Sequence, residues 1–284
     1  MIEVWILVGL GLIWLVFATV SDLKKSEIPN WLNFSLIVFA LGVRFFYSLF
    51  SNYSDFSFFY QGVLGVLFFV ILGEVFYYSK MFAGGDEKLM WSLGAILPIF
   101  PNFYQNLEVF LAFILLYLFV GAFYGIVLSV AIGLINFKKM KKGFVKLFEE
   151  KRRWILIYTL FSIVFLILSF YIENFIYFAI FIFVFPYFYL FLKAVDDFCM
   201  VRKISSKKLT PGDWLYEDVK VKGKTIRATW SGLSSEEIKL LKNKKEVLVR
   251  YGLQFSPVFL VSFILLFIFL EAGILNSFFS LFGL

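Results

Sequence analysis

Eight apolar runs constrain this chain more than anything else in it: Val4 to Val20, Trp31 to Phe50, Phe58 to Tyr78, Leu89 to Phe100, Val109 to Ile135, Trp154 to Tyr171, Phe175 to Leu192, and Phe255 to Leu270 or beyond. About 20 helical residues cross the roughly 30 Å hydrocarbon core of a bilayer, and most of these runs approach or exceed that length. Of the 284 residues, 61% are hydrophobic and only 17% charged, which no ordinary soluble domain matches. The expected fold class is an all-α polytopic membrane protein of about eight transmembrane helices, the fourth short, with a small cytoplasmic α+β insertion.

Charge placement orients the spans. The first run carries Glu3, lacks a basic segment before it and is followed by Lys24 and Lys25, so it reads as a retained anchor with its N-terminus outside. Followed through eight spans, segments 21–30, 78–88, 136–153 and 193–254 face the cytoplasm. They hold all 27 Lys and Arg except Arg44, which lies within the second span. The short opposite loops near Asp55, Glu108 and Glu173 contain no basic residue, as the positive-inside bias requires. The net charge of +7 is thereby explained by topology, and the run Lys138 to Arg153 reads as a solvated or lipid-headgroup face, not a nucleic-acid site.

The chain divides into a membrane core at 1–135, a basic loop with two further spans at 136–192, a cytoplasmic α+β insertion at 193–254, and a C-terminal span at 255–284. Within the insertion, Trp214 to Val221 and Thr225 to Trp230 flank Lys222, Gly223 and Lys224, which predicts a hairpin. Ser234 and Glu237 form a capping box that opens a short helix, and Val247 to Tyr251 reads as a third strand.

The chain has no His and a single Cys, Cys199. A Ser-His-Asp triad, a Cys-His dyad, an HExxH zinc site and a CxxC pair are all impossible, and no metal or cofactor is expected. Two carboxylates remain as candidate chemistry. Asp22 follows the first span and Asp86 opens the fourth, and the two complete spans between them return both to one side of the membrane. Two carboxylates about 3 Å apart do not both ionise easily, so one can activate water while the other protonates an amide, giving peptide hydrolysis without metal or covalent intermediate. Gly84 and Gly85 would let the backbone turn into the span and a substrate strand approach closely. Pro29 and Asn30 read as the turn that sets where Asp22 ends up. Each aspartate alone also has an ordinary explanation, Asp86 as a helix cap and Asp22 as a solvated residue.

The stretches Asp22-Leu23-Lys24-Lys25 with Ile28-Pro29-Asn30, and Gly85-Asp86 with Lys88, Leu89, Gly94 and Ala95, resemble the two aspartate motifs of the archaeal prepilin and preflagellin peptidases, membrane aspartyl proteases of the GxGD type. Leu209-Thr210-Pro211-Gly212-Asp213-Trp214 and Val249-Arg250-Tyr251-Gly252 resemble, more loosely, a C-terminal region of some archaeal members. The chain departs from GxGD at Ala83, a mild change if that position does not need positive φ. The resemblance implies that Asp22 and Asp86 are a catalytic dyad and that the substrates are type IV pilin-like or archaellin precursors. Cleavage would fall where the basic leader meets its apolar helix, at the cytoplasmic boundary of the cell membrane. Glu27 and Glu87 would meet the leader's positive charges, and Lys24, Lys25 and Lys88 would tune the aspartates or hold lipid headgroups. The four-cysteine zinc motif of bacterial relatives cannot form here, so proteolysis without methylation is expected. Two other classes stay open: a transporter or channel using Asp22, Arg44, Glu74 and Asp86, and a non-enzymatic membrane scaffold presenting the 193–254 module.

Overall fold

The apolar runs become helices whose inward faces repeat every three to four residues. In a computed structural model, which describes residues 2–50, 56–221, 223–242 and 244–274, all eight runs contain a helix. Asp55, Lys222 and residues 275–284 lie outside the described residues. Among the described residues, five helices are long and apolar enough to cross a membrane: α1 (Ile2–Lys25), α2 (Asn30–Phe50), α3 (Ser57–Tyr78), α5 (Phe103–Ile135) and α8 (Phe175–Ala194) with the π turn after it. The other three are shorter: α4 (Gly84–Gly94), α7 (Arg152–Leu168) and α10 (Ser256–Glu271). The protein is a multi-pass, all-α membrane protein carrying a small α+β part.

Two compact units divide the chain, one formed by residues 1–124 together with 253–284, the other by residues 125–252. In the first, α1 through α4 and α10 pack around a core that includes Leu7, Leu15, Leu36, Phe69, Met90, Phe110, Phe259 and Phe263. The tightest contact is between α3 and α4, where a Cβ on either Gly65 or Gly94 would collide with the other's carbonyl. With no hydrophobic force between helices in lipid, such close backbone approach supplies the packing energy.

The fourth span is placed differently from the sequence expectation of Leu89 to Phe100. Its helix starts earlier, at Gly84, and ends at Gly94, about 16 Å of helix, after which Ala95–Asn102 is irregular. Irregular backbone at membrane depth persists only where protein satisfies its polar groups. Here Arg44, fully buried on α2, does so. Its Nε donates to the Ala95 carbonyl at 2.7 Å, its Nη1 to Phe58 at 2.9 Å, and its Nη2 to Ile96 at 3.1 Å and to Pro98. Asn106 accepts from the N–H groups of Ile99 and Phe100 at 3.0 and 2.9 Å, and its amide donates to Gln61 and to the Phe100 carbonyl. Gln61 in turn donates to Pro101 at 3.1 Å. The fifth helix also begins earlier than expected, with Asn102 capping its first turn through Tyr104 N–H at 2.9 Å, which puts Glu108 inside the helix and not in a loop.

In the second unit the basic segment 136–153 is largely helical: α6 (Phe137–Glu150) buries Gly143 and Leu147 and exposes Lys138, Lys139, Lys141, Lys142 and Lys146. The charges dominate the sequence there and hide the three-to-four spacing of Gly143, Phe144, Leu147 and Phe148, which pack toward α8 and the π turn. The insertion's first strand, β1 (Val201–Ser205), was not anticipated, and it pairs with β5 (Glu246–Arg250). β5 also pairs with β2 (Trp214–Leu215), giving an antiparallel sheet of order β1-β5-β2. The expected hairpin exists only as β3 (Val219–Val221) against β4 (Lys224–Ile226), turning at Gly223, φ +78°. It is shorter because the Asp218 carboxylate takes the Ala228 N–H at 2.7 Å, ending the ladder, and because Trp214 joins β5 instead. The capping box opens α9 (Ser235–Leu241) as expected, with Ser234 N–H donating to Glu237 at 2.8 Å.

Replacing Arg44 with Lys keeps the charge and removes the fork. Because it orphans at least two buried carbonyls, the loss should reach about 2 kcal/mol or more, read by denaturant titration in detergent; a stability equal to wild type would show the irregular segment does not depend on the guanidinium.

Candidate active site

Asp22 lies on the buried stripe of α1, in register with Leu15 and Ala18, and its position follows from helical spacing alone. It is 7% exposed, and one carboxylate oxygen accepts the N–H of Ser256 at 3.2 Å. Ser256 is the first residue of α10, so the carboxylate sits on one of the unsatisfied N–H groups of a helix start, where negative charge is favoured. Beyond Asp22 the chain leaves α1 through Ser26, whose φ is +52° and whose hydroxyl accepts from Gln254 at 3.0 Å. Ser21 ties the same turn to the Glu27 carbonyl at 2.9 Å. Pro29 precedes α2, and Asn30 opens it.

Asp86 is the third residue of α4, and its carboxylate reaches back to accept the Ala83 N–H at 3.3 Å. The helix-cap explanation is therefore true of Asp86. The two carboxylates, 64 residues apart in the chain, lie in one neighbourhood of the unit, each held by a backbone N–H.

Ala83 has φ −79° and ψ 162°, ordinary extended backbone, so alanine costs nothing where the family pattern has glycine. Gly84 and Gly85 also avoid positive φ, and the turn into the helix does not require them conformationally. They keep space open: a Cβ on Gly84 would meet nothing within 4 Å, and one on Gly85 would only touch Ile28. Lys88 donates to the Asn30 side chain at 2.9 Å, and the Asn33 amide reaches the Gly85 carbonyl at 3.5 Å, joining the two aspartate-bearing segments. Glu27 and Lys24 are exposed. Glu87 is buried, with its carboxyl beside that of Glu74 on α3. Glu87 thus faces away from water, unlike Glu27.

Sequence reasoning missed two tyrosines of α5. The Tyr117 ring packs against Phe82 and Phe259, and the Tyr124 ring against Phe255, the residue before Ser256. Both lie in a long apolar helix whose spacing does not distinguish a tyrosine beside a carboxylate from one in lipid. Ser256 was missed for a related reason, since it sits at the edge of the last span, 234 residues from its partner Asp22.

The membrane helices thus carry two aspartates, each with its carboxylate on the N–H of a helix start, as a candidate site. Residues 9–134, which carry both aspartates, match the type IV leader peptidase family. The chain is also similar to the preflagellin peptidase of Methanocaldococcus jannaschii, 33% identical over 88 residues, covering 31% of this chain and 36% of that protein. To the preflagellin peptidase of Methanococcus maripaludis it is 32% identical over 93 residues, 32% of this chain and 38% of that one. The chain thus spans little more than a third of the length of these relatives. No solved structure matches it.

Ala83→Gly should change stability by less than about 1 kcal/mol, because the extended N-cap position accepts either residue; a larger loss in thermal unfolding would mean that the alanine methyl packs in a way its backbone does not show.

Proposed function

We propose that the protein is a membrane aspartyl endopeptidase that removes the basic leader from preflagellin (archaellin) or prepilin precursors, with Asp22 and Asp86 as its catalytic pair. The observation that carries this reading is that the two carboxylates lie in one neighbourhood, each anchored by one backbone N–H at a helix start. The family of residues 9–134 and the preflagellin peptidases that the chain resembles support the choice of substrate.

In the first step the ionised member takes a proton from water as the water oxygen adds to the scissile carbonyl carbon. The protonated member gives its proton to the carbonyl oxygen, leaving a neutral gem-diol. In the second, the proton taken from water passes to the amide nitrogen, the C–N bond breaks, and a diol hydroxyl returns its proton to the other carboxylate. Both carboxyls end as they began. The open space at Gly84 suits an extended substrate backbone beside Asp86. An apolar helix would dock among the spans while its basic leader stays in water at the cytoplasmic boundary, where exposed Glu27 offers a charge partner and Lys24 a headgroup contact. In this reading residues 1–135 are the catalytic core, 136–192 and the C-terminal span 255–284 complete the membrane part, and the 193–254 insertion positions substrate without supplying catalytic groups.

Asp22→Asn and Asp86→Asn, each shown to fold, should lower cleavage of leader-bearing precursors in reconstituted membranes by about 10³-fold or more. Undiminished cleavage in either would remove that aspartate from the mechanism. The wild-type rate should also fall on both sides of an optimum, since one carboxyl must be ionised and the other protonated; a profile flat from about pH 4 to 9 would exclude a dyad.

A further inference from the structure

Three buried polar atoms around the two carboxylates have no hydrogen-bond partner among the described residues: the hydroxyls of Tyr117 and Ser256 and the side-chain oxygen of Asn33. Their residues are 2%, 0% and 1% exposed. Leaving such an atom unpaired in the interior costs about 1–3 kcal/mol, so three in one neighbourhood call for an explanation.

Each belongs to a residue that borders the pair. Ser256 gives its backbone N–H to Asp22, leaving its hydroxyl unused. Asn33 spends its amide on Gly85, next to Asp86, leaving its oxygen free. The Tyr117 ring packs against Phe82, one residue before the cap of α4, at 5.6 Å between centroids, and against Phe259 on α10 at 4.6 Å. It thus lies between the start of the Asp86 helix and the start of the helix that holds Asp22. These rings hold the phenol in place, so the position of its oxygen is set before any ligand arrives.

We propose that Tyr117 is a further catalytic residue, its hydroxyl donating a hydrogen bond to the scissile carbonyl oxygen as water adds, while the Ser256 hydroxyl and the Asn33 oxygen hold the substrate main chain on either side. The proposal rests on the peptidase reading. No proton changes hands at Tyr117: the carboxyl pair carries all proton transfer, and the phenol stabilises the oxygen that gains electron density as the tetrahedral centre forms. A donor fixed in advance in a water-poor site contributes strongly to such a step. An extended peptide brings both donors and acceptors, which is what two hydroxyls and one carbonyl oxygen together can engage.

The test uses the full-length protein reconstituted in vesicles, with a precursor substrate. Tyr117→Phe should lower kcat by about 10²-fold with KM nearly unchanged, the scale seen when one oxyanion donor is removed. Its unfolding temperature should stay level or rise, because the substitution deletes an unpaired buried hydroxyl. Ser256→Ala should raise KM more than it lowers kcat. A leader-derived peptide with a hydroxyl-bearing tetrahedral carbon at the scissile position should bind Tyr117→Phe at least tenfold more weakly than wild type, whereas the same peptide with a plain methylene there should not. Wild-type kcat in Tyr117→Phe, with Asp22→Asn and Asp86→Asn inactive, overturns the proposal alone. A lowered unfolding temperature with equal loss in binding of both peptides also overturns it, in favour of a packing role. Full activity in Asp22→Asn or Asp86→Asn, or no cleavage of any precursor by the wild type, overturns the peptidase reading and this proposal with it.

Discussion

The buried guanidinium of Arg44 is the contact on which the membrane core depends. A helix of 11 residues cannot cross a bilayer, and the chain after it leaves carbonyls with no helical partner. Arg44 gathers those of Ala95, Ile96 and Pro98 onto one fork and adds that of Phe58, while its positive charge lies over the Phe58 ring at 4.4 Å. No lysine could do this, since a single ammonium has no planar fork. Cations are also favoured where helix carbonyls end, so the Arg44 charge complements the C-terminus of α4. With Asn106 and Gln61 completing the network, α4 stops partway and its first turn is held at the level of the end of α1.

That arrest determines what the two aspartates can do. Asp22 is held by the start of α10 and Asp86 by the cap of its own helix, so neither carboxylate needs an arginine or a lysine as partner. Backbone N–H groups stabilise charge without neutralising it. In the proposed mechanism this leaves the pair free to share a proton and act on water. Gly65 and Gly94 serve the same end, letting α3 and α4 approach until their backbones nearly touch.

Much of this was legible in the chain because its causes are local or periodic. Asp22 continues the spacing of Leu15 and Ala18, and Arg44 that of Leu36 and Ala40, a periodicity the chain carries although the sequence reading placed Asp22 after its span and gave neither residue a face. The Ser234 cap was readable for the same reason, its partner being three residues away. Other features depended on contacts between distant segments. The early end of α4 follows from Arg44, some fifty residues before the carbonyls it binds. Pairing of Trp214 with β5 follows from a strand after residue 245. The helix α6 was masked by its own lysines, since charge draws attention to a surface and not to the apolar stripe beneath it.

The sequence by itself determined a multi-pass helical membrane protein, the absence of histidine chemistry, and two aspartates returned to one side by an even number of spans. Periodicity, composition and parity are properties of the chain alone and survive any packing. Only the tertiary structure decided that the carboxylates share one neighbourhood, that backbone N–H groups hold them, and that Tyr117, Ser256 and Asn33 carry atoms unpaired among the described residues. Those facts require α1, α4, α5 and α10 to converge. Convergence of segments more than two hundred residues apart is set by contacts such as Asp22 with Ser256 and Gly11 with Phe263, and no local spacing encodes it.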